Sequence, residues 1–212
     1  ESLQKALASL ETGLTGLNEI EFPSTKEEII SVLSKQNSNR LRQIVQAMRS
    51  GIDSKTINQI TRVDSWFLER LEEIIAAEQY LKENSLPTEA DELQTVKSMG
   101  FTDARLGELT SLSEDTIRQK RWQIGVRPSF KRVDTCAGEF PSKTPYMYST
   151  YEALLPKSID CESSPNNTEK IIIIGSGPNR IGQGIEFDYC CCHASFALSN
   201  SGIETIMINC NP

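Results

Sequence analysis

Long apolar runs are missing from this 212-residue chain. None exceeds four residues, as in Ile171 to Ile174, far below the ~20 that a membrane-spanning helix needs. Excess positive charge is also missing: the net charge is −7, which argues against a dedicated nucleic-acid binder, whose affinity comes mostly from phosphate neutralisation. There is one histidine, His193, so neither a His-based catalytic triad nor a His-rich zinc site can be assembled from these residues. The cysteines, at 136, 161, 190 to 192 and 210, have neither the spacing of a disulfide framework nor a Cys-x-x-Cys zinc pattern, and they suit a reducing compartment. The opening residues carry no basic n-region or apolar h-region, so they offer no signal-peptide pattern. What remains, 38% hydrophobic and 24% charged, is the composition of a folded globular chain with room for one ordinary domain, or for a smaller domain and part of a second.

From Ser2 to about Gly125 the signals are helical, with no β alternation and no fixed-period repeat. Thr25 and Glu28 have capping-box spacing, in which a hydroxyl and a carboxylate satisfy free backbone N–H groups at a helix start. A helix around Asn39 to Arg49 should stop at Gly51, the residue type best able to take a left-handed C-cap. The strongest helix runs from Ser65 to about Lys82 behind an Asp64 N-cap, with Phe67, Leu68, Leu71, Ile74, Ile75 and Leu81 on one side. Val63 with Leu68, Phe101 with Leu106 and Leu112 with Ile117 have the spacing of hydrophobic staples, which marks three helix entries. The expectation is an all-α bundle of six or seven helices.

Beyond Arg127 this pattern fails. Prolines at 128, 141, 145, 156 and 165 and the clustered Tyr146, Tyr148 and Tyr151 leave neither period dominant up to Lys170, so the stretch reads as a long irregular connector laid over other surfaces, its end at Ser163 to Thr168 flexible. Ile171 to Ile174 then suits a strand buried on both faces, Gly175 opens a glycine-rich turn, and a helix from Glu186 to about Asn200 stops at Gly202 before a second strand over Thr205 to Asn209. Two strands and one helix cannot cover a parallel sheet, so this unit reads as the start of a larger domain. The expected organisation is a helical domain over 1–126, a connector over 127–169 and a truncated α/β Rossmann-like unit over 170–212.

The turn Gly175-Ser-Gly-Pro-Asn-Arg-Ile-Gly-Gln-Gly184 lies between strand and helix, where backbone N–H groups and the helix dipole can receive an anion. It is not a dinucleotide fingerprint. Four residues separate Gly177 from Gly182 where two are required, Pro178 removes a donor, and the second strand ends without the acidic residue that would hold a ribose. A tight turn needed only for packing is the plainer reading of Gly175, Gly177, Gly182 and Gly184. Glu186 is either a carboxylate favoured by the positive end of its helix or a group facing the crevice at the strand ends, and spacing does not choose. The run Cys190-Cys191-Cys192-His193 cannot converge on one metal ion, because successive helical residues point about 100° apart. Thr102 to Ile124 resembles a helix-turn-helix, and between Thr116 and Arg132 there are six basic residues and no acidic one, so a DNA-binding module is the alternative of a different class. Against it, residues 1–125 hold 15 basic and 20 acidic side chains, which favours a basic patch that meets protein.

Several longer words resemble a known family. Lys131-Arg-Val-Asp-Thr-Cys-Ala-Gly-Glu-Phe140 and Tyr146-Met-Tyr-Ser-Thr-Tyr-Glu152 are similar to the connector of the carbamoyl phosphate synthetase large chain. Gly177-Pro-Asn-Arg-Ile-Gly-Gln-Gly-Ile-Glu-Phe-Asp-Tyr-Cys-Cys191 and Glu204-Thr-Ile-Met-Ile-Asn-Cys-Asn-Pro212 resemble the opening of that chain's second synthetase half, its pre-ATP-grasp unit. Leu10-Glu-Thr-Gly-Leu-Thr-Gly16, Asp64-Ser-Trp-Phe67 and Phe101-Thr-Asp-Ala-Arg-Leu106 resemble the junction into, and the helices of, its oligomerisation domain. The words occur in the family's order and span essentially the whole chain. Cys192 departs from the pattern by extending the usual cysteine pair to three.

The resemblance implies an excerpt from an ATP-dependent ligase of pyrimidine and arginine biosynthesis. In that family the first half phosphorylates bicarbonate and makes carbamate with ammonia from a glutamine-hydrolysing small chain; the second half phosphorylates the carbamate. ATP and Mg or Mn bind in ATP-grasp modules outside these residues, so the resemblance assigns no catalytic or metal residue here and no cofactor to the segment. It implies other large chains as oligomeric partners, a cytoplasmic setting (mitochondrial in some members), and no membrane or nucleic-acid partner. It also places Glu186 at the position of a glutamate lining the carbamate tunnel, where a carboxylate can deter an anion or hold a proton.

Overall fold

The computed structural model describes residues 1–10, 12–151, 161–175 and 186–208. They fall into two compact units, residues 1–162 and residues 163–212.

The first unit holds eight helices among its described residues: α1 (Ser2–Ser9), α2 (Lys26–Leu33), α3 (Arg40–Arg49), α4 (Ser54–Thr61), α5 (Ser65–Asn84), α6 (Ala90–Ser98), α7 (Asp103–Thr110) and α8 (Glu114–Gln123). That is more than the six or seven expected, because several of them, α2 and α4 included, are only eight residues long and leave little sequence in which to separate one helix from the next. Local chemistry explains most of the boundaries. The carboxylate of Asp64 accepts from Trp66 N at 2.9 Å to open α5, and the hydroxyls of Thr102 and Ser113 accept from Arg105 N and Thr116 N to open α7 and α8. The Thr25 hydroxyl accepts from Glu28 N, but the Glu28 carboxylate takes the Thr25 hydroxyl proton at 2.7 Å instead of the Thr25 backbone N–H, a variant of the box that the spacing led us to expect. After α3 the chain turns through Gly51 at φ +84°, with Ile52 N donating to Ala47 O. This is the left-handed stop read from the sequence.

The helices enclose one core. Leu17, Ile29, Leu33, Ile57, Leu68, Leu81, Leu93, Leu106 and Ile117 are essentially inaccessible to solvent. Each such side chain is stabilised by roughly 1.5–3 kcal/mol through burial. Both members of each staple pair lie in this core or pack against it. The close approach of α7 and α8 depends on Gly107, where an added Cβ would stand 2.5 Å from Leu112 O.

The stretch read as an irregular connector contains a hairpin. β1 (Ser129–Arg132) pairs antiparallel with β2 (Met147–Thr150), Ser129 opposite Thr150, and Glu162 N donates to Phe130 O on the outer side of β1. The loop between them, residues 133–146, is far longer than a tight hairpin turn; within it the Asp134 carboxylate accepts from Cys136 N and Gly138 N. Four-residue strands so far apart produce no legible alternation.

The second unit is a β–α–β element. β3 (Lys170–Ile174) pairs parallel with β4 (Glu204–Ile208), and α9 (Glu186–Asn200) lies between them in sequence and stops before Gly202 at φ +79°. The sequence suggested that β3 is buried on both faces. In this unit Ile171, Ile172 and Ile174 are instead 37, 57 and 79% exposed, because one helix and one neighbouring strand do not cover a two-stranded sheet.

Candidate functional site

Two buried polar networks hold the helical unit together, and sequence reasoning found neither. The first centres on Glu78, which stands on the inward face of α5 between Ile74 and Leu81 and is 2% exposed. One carboxylate oxygen accepts from Arg49 Nε at 3.1 Å and Nη2 at 2.6 Å; the other accepts from Arg105 Nε at 3.1 Å and Nη2 at 2.7 Å. Arg105 Nη1 continues to Glu108 at 3.0 Å and to Glu19 at 2.9 Å, and Lys82 meets the other Glu19 oxygen at 2.8 Å. Glu108 in turn accepts from Thr15 and Asn18, while Arg49 Nη2 donates to Leu17 O. The segment 15–19 is thereby sewn to α3, α5 and α7. Partial burial works to raise the Glu19 carboxyl, but hydrogen bonds from Arg105 and Lys82 outweigh it and hold the group far below the usual carboxylate range.

The second network joins α6, α7 and α8 to the hairpin. Lys97 Nζ donates to Phe101 O at 2.6 Å and to Asp103 at 2.9 Å, and Arg121 Nε donates to both Asp103 oxygens, at 3.1 and 2.8 Å. The Tyr151 ring closes this cluster, 4.9 Å from Lys97 Nζ and 5.9 Å from the Arg121 guanidinium carbon. The Glu1 carboxylate accepts from Thr150 Oγ1 at 2.6 Å and from Tyr151 N, which ties the end of β2 to the start of α1. Burial pushes the Lys97 ammonium down, with Asp103 opposing it. Burial would raise Asp103, yet Lys97 and Arg121 together hold it below its ordinary value. Burial raises the Tyr151 phenol.

These contacts bear on the helix-turn-helix reading. Arg121 is turned inward and 9% exposed, and Arg118 is held by Glu114 and Asp115 of its own helix at 2.8 and 2.7 Å. Arg127 lies over the Trp122 ring at 5.0 Å. The six cations therefore do not form one free face for phosphate. Ile117 is core, whereas Trp122 is 48% exposed.

In the second unit, Gly175 follows β3 and its N–H donates to Ile208 O at 2.9 Å, extending the parallel ladder by one bond. Gly177, Gly182 and Gly184 lie outside the described residues. Glu186 is exposed at the first turn of α9, with Asp188 beside it. The Tyr189 and His193 rings meet at 4.2 Å, tilted by 43°, and the cysteines at 190 to 192 form no disulfide with any described residue. Among the described residues no three His, Cys, Asp or Glu side chains are grouped to hold a metal ion. No described helix is long and apolar enough to cross a membrane.

Residues 1–125 match the family described as carbamoyl-phosphate synthetase large chain, oligomerisation domain, and residues 167–212 match the carbamoyl phosphate synthase preATP-grasp domain. Over its whole length the chain is 47% identical to the carbamoyl phosphate synthase large chain of Brucella melitensis and 47% identical to that of Rhizobium meliloti, covering 19% of each. It is 46% identical to the arginine-specific large chain, chloroplastic, of Arabidopsis thaliana, covering 18% of it. The chain thus spans about a fifth of the length of the curated relatives it matches. A helical unit followed by the opening strand, helix and strand of an α/β unit, matched end to end in that order, belongs to the carbamoyl-phosphate synthetase large-chain family.

Proposed function

We propose that this chain is an internal stretch of a carbamoyl phosphate synthetase large chain, in which the helical region brings large chains together and the stretch after it links the two synthetase halves. The observation that carries the reading is the match at 47% identity across the whole chain, with the oligomerisation-domain match over residues 1–125. The division proposed is a helical domain over 1–126, a connector over 127–169 and the start of the pre-ATP-grasp domain from 170. The whole protein would make carbamoyl phosphate from bicarbonate, glutamine-derived ammonia and two ATP, beside a glutamine amidotransferase small chain. Nucleotide and Mg or Mn would supply the phosphoryl-transfer chemistry in modules beyond these residues. The segment alone carries no proposed catalysis. Its setting is the cytoplasm or the interior of an organelle.

Within the second unit, Glu186 is proposed to border the carbamate path. Its exposure at the start of α9, beyond the C-terminal end of β3, agrees with a position in the crevice where α/β sheets receive ligands.

Sedimentation of the purified chain over a concentration series, with duplex DNA in a parallel low-salt run, tests the assembly role. Concentration-dependent self-association without DNA binding is expected. A strict monomer that bound DNA with steep salt dependence would overturn the reading in favour of the helix-turn-helix module.

A further inference from the structure

The helical unit exposes one large apolar groove, of about 750 Å³. Glu1 and Leu3 form part of its wall, Leu41 and Ile44 come from α3, and Trp66 and Phe67 come from the first turn of α5. Trp66 and Phe67 are each 58% exposed. Helical spacing put Phe67 on the same side as Leu71 and Ile74, but the buried positions of α5 begin only at Leu68, so the rings of its first turn stand outside the core. They are nevertheless fixed. Their ring centroids are 5.0 Å apart edge to face, and the Arg70 guanidinium lies 5.9 Å over the Trp66 ring. Preorganised aromatic anchors in a concave apolar site are features of a docking surface, because little side-chain freedom is left to lose on binding.

The position of Glu1 indicates the occupant. Its carboxylate is held by Thr150 and Tyr151 N, and its carbonyl accepts from Lys5 N at 3.1 Å. Gly100, at φ +93°, lies directly under it: a Cβ there would stand 2.7 Å from Glu1 O and 2.9 Å from Glu1 Cα. The backbone of Glu1 is therefore clamped at the wall of the groove, and any polypeptide joined to its amino side leaves from that wall. A segment tethered there by a few residues has an effective concentration in the millimolar range, which a separate molecule at ordinary concentrations does not match.

We propose that this groove is the seat of the polypeptide that precedes Glu1 in the full-length large chain, which lays an apolar surface on Trp66 and Phe67. The inference rests on the internal-stretch reading above. It assigns the groove to contact within one large chain and leaves self-association to other faces of the helical unit.

Hydroxyl-radical footprinting read by mass spectrometry tests it, comparing Trp66 oxidation in the 212-residue chain and in the full-length large chain, both diluted to the monomer range fixed by sedimentation. The expected result is several-fold less Trp66 oxidation in the full-length monomer, with Trp66 of the short chain oxidised readily at every concentration. Equal oxidation in the two monomers overturns the proposal. Protection of Trp66 in the short chain that grows with self-association, together with loss of that association by sedimentation in Trp66→Glu, overturns it in favour of a second copy as occupant. Self-association is scored separately by sedimentation, so failure of the assembly role and failure of the groove proposal give different results.

Discussion

Arg105 on α7 donates two hydrogen bonds, from Nε at 3.1 Å and Nη2 at 2.7 Å, to a single carboxylate oxygen of Glu78 on α5, and both side chains are at most 3% exposed. The other oxygen of Glu78 belongs to Arg49. One buried anion thus bridges guanidinium groups from two different helices, Arg105 fully buried and Arg49 partly so. Removing it leaves both guanidinium groups without their central partner, so Glu78→Gln should cost about 3–5 kcal/mol, the range for breaking a buried pair. Urea unfolding gives the value. A loss below about 1 kcal/mol would show that water or Glu108 replaces the carboxylate.

Asp103 and Glu19 give the helical unit an acid limit. Both carboxyls are held below their ordinary values in the folded state, so their contribution is complete above the unfolded pKa of ~4 and is lost as pH falls through the folded values. The urea midpoint should therefore fall steeply below about pH 4. Asp103→Asn should be less stable than the parent at pH 7, where Lys97 and Arg121 lose their partner, and the difference should shrink on acidification. A constant gap across pH would refute the assignment.

Tyr151 couples the hairpin to the helices through its ring and its N–H. Tyr151→Phe keeps both contacts and should leave hydrogen exchange unchanged. Tyr151→Ala should accelerate exchange at Lys131 and Val133 in and beside the hairpin, while amides of α2 to α4 keep their protection. Uniform acceleration across the unit would mean that the ring supports the whole core and not the hairpin in particular.

Gly107 is fixed by the backbone of the next turn. An alanine Cβ would meet Leu112 O at 2.5 Å, and a carbonyl in a turn cannot swing aside as a side chain can. Gly107→Ala should destabilise by roughly 1–3 kcal/mol even after the gain in helix propensity. Calorimetry on the purified chain gives the sign directly, and a raised Tm would show that α7 and α8 can separate cheaply.

Glu186→Ala in the complete enzyme should loosen the coupling between glutamine hydrolysis and carbamoyl phosphate output, with overall fold retained. Unchanged stoichiometry of the two reactions would remove Glu186 from the carbamate path.

Local chemistry settled much of this protein before any coordinates. Asp64, Thr102 and Ser113 open helices because each accepts a backbone proton in the next turn, and Gly51 and Gly202 follow helix ends because they take a left-handed φ; residues a few positions apart suffice for both. The same holds for α9, whose span from Glu186 to Asn200 was read in full, and for the family words that placed the chain. The sequence also placed Glu186 at the start of a helix beyond a strand.

The tertiary structure decided what depends on distant pairs. Glu78 went unread within the helix from Ser65, since nothing local could say that Arg49 and Arg105 converge on it from 29 and 27 residues away. Arg121 looked like one cation of a basic face until Asp103, 18 residues earlier, drew it inward. The hairpin over Ser129–Arg132 and Met147–Thr150 escaped for the same reason, since a ladder of four residues has no period to read and exists only through its partner. Hydrogen bonds within one turn can be read from neighbouring residues, whereas burial of charge is a property of the space that the packed chain encloses.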